Sequence, residues 1–265
     1  MNESIDHQRD HRRNHERDVE REHAQPRGSV YLLPCDLHEG AALATLPAGT
    51  LAVARQTQHF LAENAKTTRA FLKEIAHPQP ISELHIIEIG HAPEPSAIDD
   101  WLAPARAGAN IAVVSEAGCP GIADPGATIV ARAHAQGLHV RPLVGPSAPL
   151  LALMAAGGNG QRFRFVGYLP QDAAQRAKAL HALEAAVRGG ETQLFIETPY
   201  RNDKLFDAIL ETCAPATSLS LAIDLTGPEE FVATRTIAQW RSLPPAQRPR
   251  LNKRPAVFTL LGAIR

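Results

Sequence analysis

The chain has 265 residues, 44% of them hydrophobic, and its 27 basic and 28 acidic side chains leave a formal charge of -1. That length can bury a core as one large domain or two modest ones, and the charge balance excludes a protein that coats nucleic acid by bulk electrostatics. Any contact with RNA must therefore be local. The scattered cysteines Cys35, Cys119 and Cys213 form no disulfide framework and fit a reducing compartment. No apolar run is long enough to span a bilayer, and charged residues stand where a signal peptide needs an apolar stretch, so a soluble cytoplasmic protein with no membrane partner is expected.

Residues 1–28 mix charges of both signs densely and are expected to form a disordered tail that builds no core. Within it His7, His11 and His15 recur every fourth position, a spacing that would align three imidazoles on one helical face, but a solvated tail lacks the buried partners a metal site needs. From Ser29 onward short apolar runs alternate with amphipathic stretches. Residues 30–33 and 51–54 read as buried strands, and apolar spacing from Phe60 to Ile75 predicts a helix over 58–76, ended by Pro78 and Pro80. Strands follow at 85–89 and 111–114, with a helix at 98–106 between them. A helix over 127–136 takes its start signal from Asp124-Pro125 and its stop from Gly137; a strand at 138–143 and an apolar helix over 148–156 come next. This alternation means an α/β fold with a mostly parallel sheet. Gly157-Gly158 and the polar 159–161 mark a boundary between an N-terminal α/β domain, 29–158, and a C-terminal domain, 162–265. The latter carries strands at 163–166, 193–196, 219–223, 230–236 and 256–261 with helices at 173–187, 202–213 and 237–241, a mixed arrangement.

The strongest local signal is the strand ending at Val114 and the small, glycine-rich loop of residues 115–126, Ser-Glu-Ala-Gly-Cys-Pro-Gly-Ile-Ala-Asp-Pro-Gly. Ligands bind at the C-terminal ends of strands in open α/β sheets, and glycine there lets the backbone approach them. A plain tight turn with positive φ at Gly118 and Gly121 is the competing reading. The loop matches neither a dinucleotide fingerprint nor a Walker loop, so phosphate cradling by it is not supported.

That loop, followed in order by Pro142-Leu143-Val144-Gly145-Pro146-Ser147-Ala148, by residues 163–170 and by Glu197-Thr198-Pro199-Tyr200-Arg201, resembles the motif series of the ribosomal RNA 2'-O-methyltransferase I family of the tetrapyrrole methylase superfamily. The likeness runs from about Gly28 to the C-terminus. It implies a two-domain class III methyltransferase fold with S-adenosyl-L-methionine in the cleft between the domains, structured RNA of the small ribosomal subunit as substrate, and a homodimer. By the same resemblance Pro34, Ser115, Gly118, Cys119, Pro120, Ile122, Ser147, Ala148, Leu169, Pro255 and Ala256 line the cofactor site. Three departures stand out: residues 34–40, Pro-Cys-Asp-Leu-His-Glu-Gly, replace the family's first loop; residues 63–69 lack an acidic residue of its Glu-Asp-Thr-Arg element but keep Arg69; and Glu116 stands for an Asp.

Methyl transfer from a sulfonium is an in-line displacement, so the protein must chiefly align donor and acceptor and remove the hydroxyl proton. Glu116 and Glu197 are the candidate bases, and Arg201 and Arg69 the candidate phosphate contacts, with an ordinary Glu197–Arg201 ion pair as the plainer alternative. No metal is required, and His85, His91, His134 and His139 show no ligand spacing. Methylation of a small molecule such as a tetrapyrrole, and a cofactor-binding module without catalysis, are the competing functions.

Overall fold

The computed structural model describes residues 27–262, so the expectations for His7, His11 and His15 and most of the tail lie outside the described residues. The first half runs β1 (Ser29–Leu33), α1 (Ala42–Thr45), α2 (Ala48–Gln56), β2 (His59–Ala62), α3 (Ala65–Glu74), β3 (His85–Glu88), α4 (Ile98–Trp101), α5 (Ala103–Arg106), β4 (Ile111–Val114), α6 (Ala127–Ala135) and β5 (His139–Pro142). Its strands form one sheet in the order β3-β2-β4-β1-β5, parallel throughout. Both faces of the inner strands β1, β2 and β4 are covered, which is why their runs are apolar rather than alternating, while the edge strands β3 and β5 are largely exposed. Tyr31 and Leu33 pack on one face with Phe60, Phe71 and Leu72, while Val30 packs on the other with Leu61, Val113 and Ile129.

Three sequence expectations change here. Residues 51–54 lie in α2, not in a strand: Leu51 and Ala54 are buried while Ala52 is exposed, the one-sided burial of a helix. Four apolar residues in a row carry no period that separates the two cases. The helix expected over 58–76 is a strand followed by a helix. Phe60, Leu61 and Ala62 are buried in the inner strand β2, and Asn64 caps α3 by accepting the Lys66 and Thr67 N–H groups at 2.9 and 3.3 Å. Likewise 98–106 is two short helices, parted at Leu102 before Pro104, which has no N–H to donate.

The second half runs α7 (Ala148–Ala156), β6 (Phe163–Tyr168), α8 (Ala173–Arg188), β7 (Thr192–Ile196), α9 (Asn202–Thr212), β8 (Ser218–Ile223), β9 (Phe231–Thr236), α10 (Ile237–Ser242) and β10 (Ala256–Leu261). Its sheet has the order β6-β7-β10-β8-β9, with β6 and β7 parallel and the other pairs antiparallel. On one face Trp240, 1% exposed, stands edge-on to Phe206 and donates its indole N–H to the Leu219 carbonyl at 2.9 Å. On the other lies α7, whose Ala152 packs with Leu194, Ala222, Leu225 and Val257. The chain therefore crosses between the sheets at residues 143–147. The glycines at 157 and 158, where composition put the boundary, end a helix that already packs on the second sheet, Gly157 in the left-handed region at φ +77°.

Candidate active site

From β1 the chain crosses β4 to reach β2, and from β4 it crosses β1 to reach β5. Neighbouring strands whose connections leave in opposite directions open a crevice beyond their C-terminal ends. The loops there are knit together. The Cys35 N–H donates to the Gly118 carbonyl at 2.9 Å, and the Cys119 thiol donates to the Pro146 carbonyl at 3.4 Å. A Cβ on Gly145 would fall 2.4 Å from Pro34 Cβ, so the β1 and β5 loops touch only because residue 145 has no side chain. Gly118 and Gly121 have φ of +69° and +80°, as the turn reading of the loop requires.

Above these loops the second sheet closes a cleft of about 830 Å³, within the ~300–1,000 Å³ usual for small-molecule and cofactor sites. The first sheet contributes Leu37, Glu63, His91, residues 116–119, residues 122–125 and Ser147; α7 contributes Ala148 and Pro149. The second contributes Phe165, Tyr168, Ile196, Glu197, Ala222, Asp224, Leu225 and residues 255–257.

One end of the cleft is acidic. Glu63, 5% exposed, accepts the Glu116 N–H on Oε2 at 2.9 Å, and its Oε1 lies 2.6 Å from His91 Nδ1. One ligand-type atom from each of Glu63, His91 and Glu116 lies within 4.8 Å of the others. Asp124 faces the same group. Burial, then the Glu63 and Glu116 charges, push its carboxyl up to about 7, against a weaker opposing pull from His91. The Ser115 hydroxyl also favours the ionised carboxylate, although it makes no well-formed hydrogen bond. Nearby, burial and then the charges of Asp124 and Glu197 raise the Tyr168 phenol.

Among the residues singled out from sequence, Glu116, Glu197, Gly118, Cys119, Ile122, Ser147, Ala148, Pro255 and Ala256 line the cleft. Ser147 holds the N-cap position of α7 but makes no side-chain cap, so its hydroxyl is not spent on the helix. Pro34, Ser115 and Pro120 are buried behind the lining, and Leu169 belongs to the core of the second sheet. Arg69 is exposed on α3 and does not line the cleft. Arg201 donates from Nη2 to Glu197 Oε1 at 2.7 Å; burial raises the Glu197 pKa, but this guanidinium and the Thr198 N–H outweigh it and hold the carboxyl below the ordinary range.

Sequence reasoning missed Glu63, His91 and Asp124. In sequence Asp124-Pro125 signals a helix start, but the N-cap of α6 is Gly126 at φ +143°, and Asp124 lines the cleft instead. His91 showed no ligand spacing because its neighbours come from other strands.

The profile of the tetrapyrrole (corrin/porphyrin) methylases matches residues 42–240. Proteins named ribosomal RNA small subunit methyltransferase I are similar: one from Mesorhizobium japonicum is 35% identical over 51% of this chain and 45% of its own length. Those from Escherichia coli O157:H7 and Bacillus subtilis (strain 168) are 32% and 33% identical over 78% and 80% of this chain, and 68% and 64% of their own lengths. The chain thus spans about half to two thirds of these relatives. The crystal structure of the methyltransferase CobJ superposes with a TM-score of 0.58 at 19% identity, covering 90% of this chain and 95% of that one. That of uroporphyrin-III-C-methyltransferase from Thermus thermophilus superposes with a TM-score of 0.52 at 17% identity, covering 89% and 92%. With its glycine loop and inter-sheet cleft in the same fold, the chain belongs to the tetrapyrrole (corrin/porphyrin) methylase family, alongside the ribosomal RNA small subunit methyltransferase I proteins.

Proposed function

We propose that the protein is an S-adenosyl-L-methionine-dependent methyltransferase that methylates a ribose 2'-hydroxyl of small-subunit ribosomal RNA. The observation that carries this reading is an acidic, partly enclosed cleft at the switch point of a chain whose relatives are named ribosomal RNA small subunit methyltransferase I. The cleft fits the cofactor on its own terms. Gly118 lines it at positive φ, and a Cβ there would come 3.1 Å from Leu37 Cδ2, narrowing the wall. Leu37, Ala148, Ile196 and Leu225 offer apolar walls for an adenosine, and the small residues 117–119 let the backbone reach the amino-acid end. When bound, the cofactor supplies an electrophilic methyl group.

The chain's own residues then have two tasks. The opposed sheets exclude water and hold the acceptor in line. The Glu63, Glu116 and Asp124 cluster takes the hydroxyl proton, with Asp124 the best poised member because a pKa near the working pH serves a general base best. Glu197 is a weaker base than Asp124, since Arg201 and the Thr198 N–H, both on its Oε1, hold its carboxyl below the ordinary range. The homodimer is likewise a proposal, supported by the exposed apolar side chains of Val144, Leu150 and Met154 around α7 and tested by sedimentation equilibrium. Among the described residues no helix is long and apolar enough to cross a membrane.

The test is transfer of labelled methyl from S-adenosylmethionine to unmodified small ribosomal subunits, with and without ribonuclease. Label in ribose 2'-O-methyl nucleosides is expected. Transfer that survives ribonuclease and moves to small-molecule extracts would replace RNA by a small acceptor, and cofactor binding without any transfer would leave a binding module.

A further inference from the structure

Behind Glu197 lies a second, smaller pocket of about 80 Å³, lined by Gln171, Arg176, Glu197, Arg201, Lys204 and Leu205. We propose that it binds a tetrahedral oxyanion, the phosphate of an RNA nucleotide flanking the methylated ribose. Three cations face one carboxylate there. Arg176 is only 8% exposed; one of its Nη atoms donates to the Gln171 carbonyl at 2.9 Å, but its Nε has no partner. The Nε of Arg201 is equally buried and unpartnered, while its Nη2 holds Glu197. A buried guanidinium N–H left without an acceptor loses its hydration with nothing in return, so two such donors at one pocket point to a ligand that satisfies them. The first turns of α8 and α9 supply Arg176 and Lys204, so the positive ends of two long helices add to the field.

Arginine forks match phosphate oxygens, and the pocket has room for one such group but not for a nucleoside. Glu197 lines both this pocket and the main cleft, so a bound phosphate sits next to the acceptor position. The exposed rings of Tyr200, which precedes Arg201 in the chain, and of Tyr168, in the cleft, give neighbouring bases surfaces to stack on, which favours a nucleic-acid phosphate over a free one. The near-neutral total charge agrees with binding that is local rather than diffuse. The RNA source rests on the methyltransferase reading; the oxyanion does not.

The test uses the full chain and the variants Arg176→Gln and Lys204→Gln, the latter exposed and so tolerant of replacement. Calorimetric titration with S-adenosylmethionine reports whether each variant is folded, and failure of the native protein in that titration sinks the methyltransferase reading without touching the pocket. Inorganic phosphate is expected to raise the thermal midpoint of the native protein and to do so less in either variant. Anisotropy of a labelled single-stranded RNA is expected to show about a tenfold loss of affinity in each variant, with the slope of log K against log salt reduced by about one. A phosphate effect lost in the variants with RNA affinity and slope unchanged assigns the pocket to a free oxyanion and overturns the RNA phosphate. No difference between native and variant proteins in either arm overturns the site.

Discussion

Replacing Asp124 by Asn tests the acidic cluster through two observables that move in opposite directions. In the folded protein burial and the charges of Glu63 and Glu116 hold the Asp124 carboxyl at about 7, above the ordinary 3.8. The proton is therefore bound more tightly by the folded chain than by the unfolded one. Stability from this group is fully present below about pH 3.8 and is lost as the pH rises through about 7. The Asn variant removes the ionisation, so near pH 8 it should unfold at a higher temperature than the native protein. The carboxyl is only half-buried and solvent screens it, so the gain is on the order of 1–2 kcal/mol, a few degrees in Tm for a chain of this size. Near pH 4 the gain should vanish. Methyl transfer should fall by about 100-fold or more, the usual contribution of a positioned base, while the native rate climbs with pH through about 7. Paired thermal melts and single-turnover transfer at the two pH values decide the matter. An equal stability gain at both, or transfer left intact, would refute the electrostatic account of the cluster.

Gly118→Val places an L side chain at φ +69°, at a cost of roughly 1–2 kcal/mol, and its Cβ presses on Leu37 in the cleft wall. Calorimetry should show S-adenosylmethionine affinity falling more than tenfold, and an unchanged Kd would remove this loop from the cofactor site. Glu63→Gln removes the charge that holds His91 and keeps only one good acceptor for the Glu116 N–H. Its kcat should drop about tenfold with KM for the cofactor little changed, and the pH profile should shift to lower pH because Asp124 loses a repelling neighbour. Trp240→Phe deletes the indole N–H bonded to Leu219 and leaves a gap beside Phe206. Thermal melts should show a loss of about 2–3 kcal/mol, with cofactor affinity unaffected.

The alternation of strands and helices was legible because each buried strand is a short apolar run and most helices end at a glycine or a proline. The mixed second sheet was legible too, from three late strand-like runs with one short helix among them. Where reading failed, the local signal was degenerate. Residues 51–54 are apolar in either a strand or a one-sided helix, and the spacing of Phe60 and Leu61 fits a helix although both are buried in β2. The placement of α7 on the second sheet was hidden for a related reason: a helix apolar on every side carries no stripe to say which core it faces.

The acidic cluster shows what linear sequence cannot display in a parallel sheet. Glu63 follows β2, His91 follows β3 and Glu116 follows β4, so the residues stand 28 and 53 positions from Glu63 along the chain. The strand order β3-β2-β4 makes those three strands neighbours, and parallel direction brings their C-terminal ends to one edge. Side chains one residue or a few beyond each strand then meet across that edge with no spacing rule to announce them. Asp124 joins only because Gly126, at a φ closed to other residues, takes over as the helix cap. An alanine at 126 would press its Cβ to 3.1 Å from the Gly121 nitrogen and strain that turn. The position of the proposed base thus depends on a glycine that never touches the substrate, and Gly126→Ala should shift the pH profile of transfer while leaving every carboxylate in the sequence.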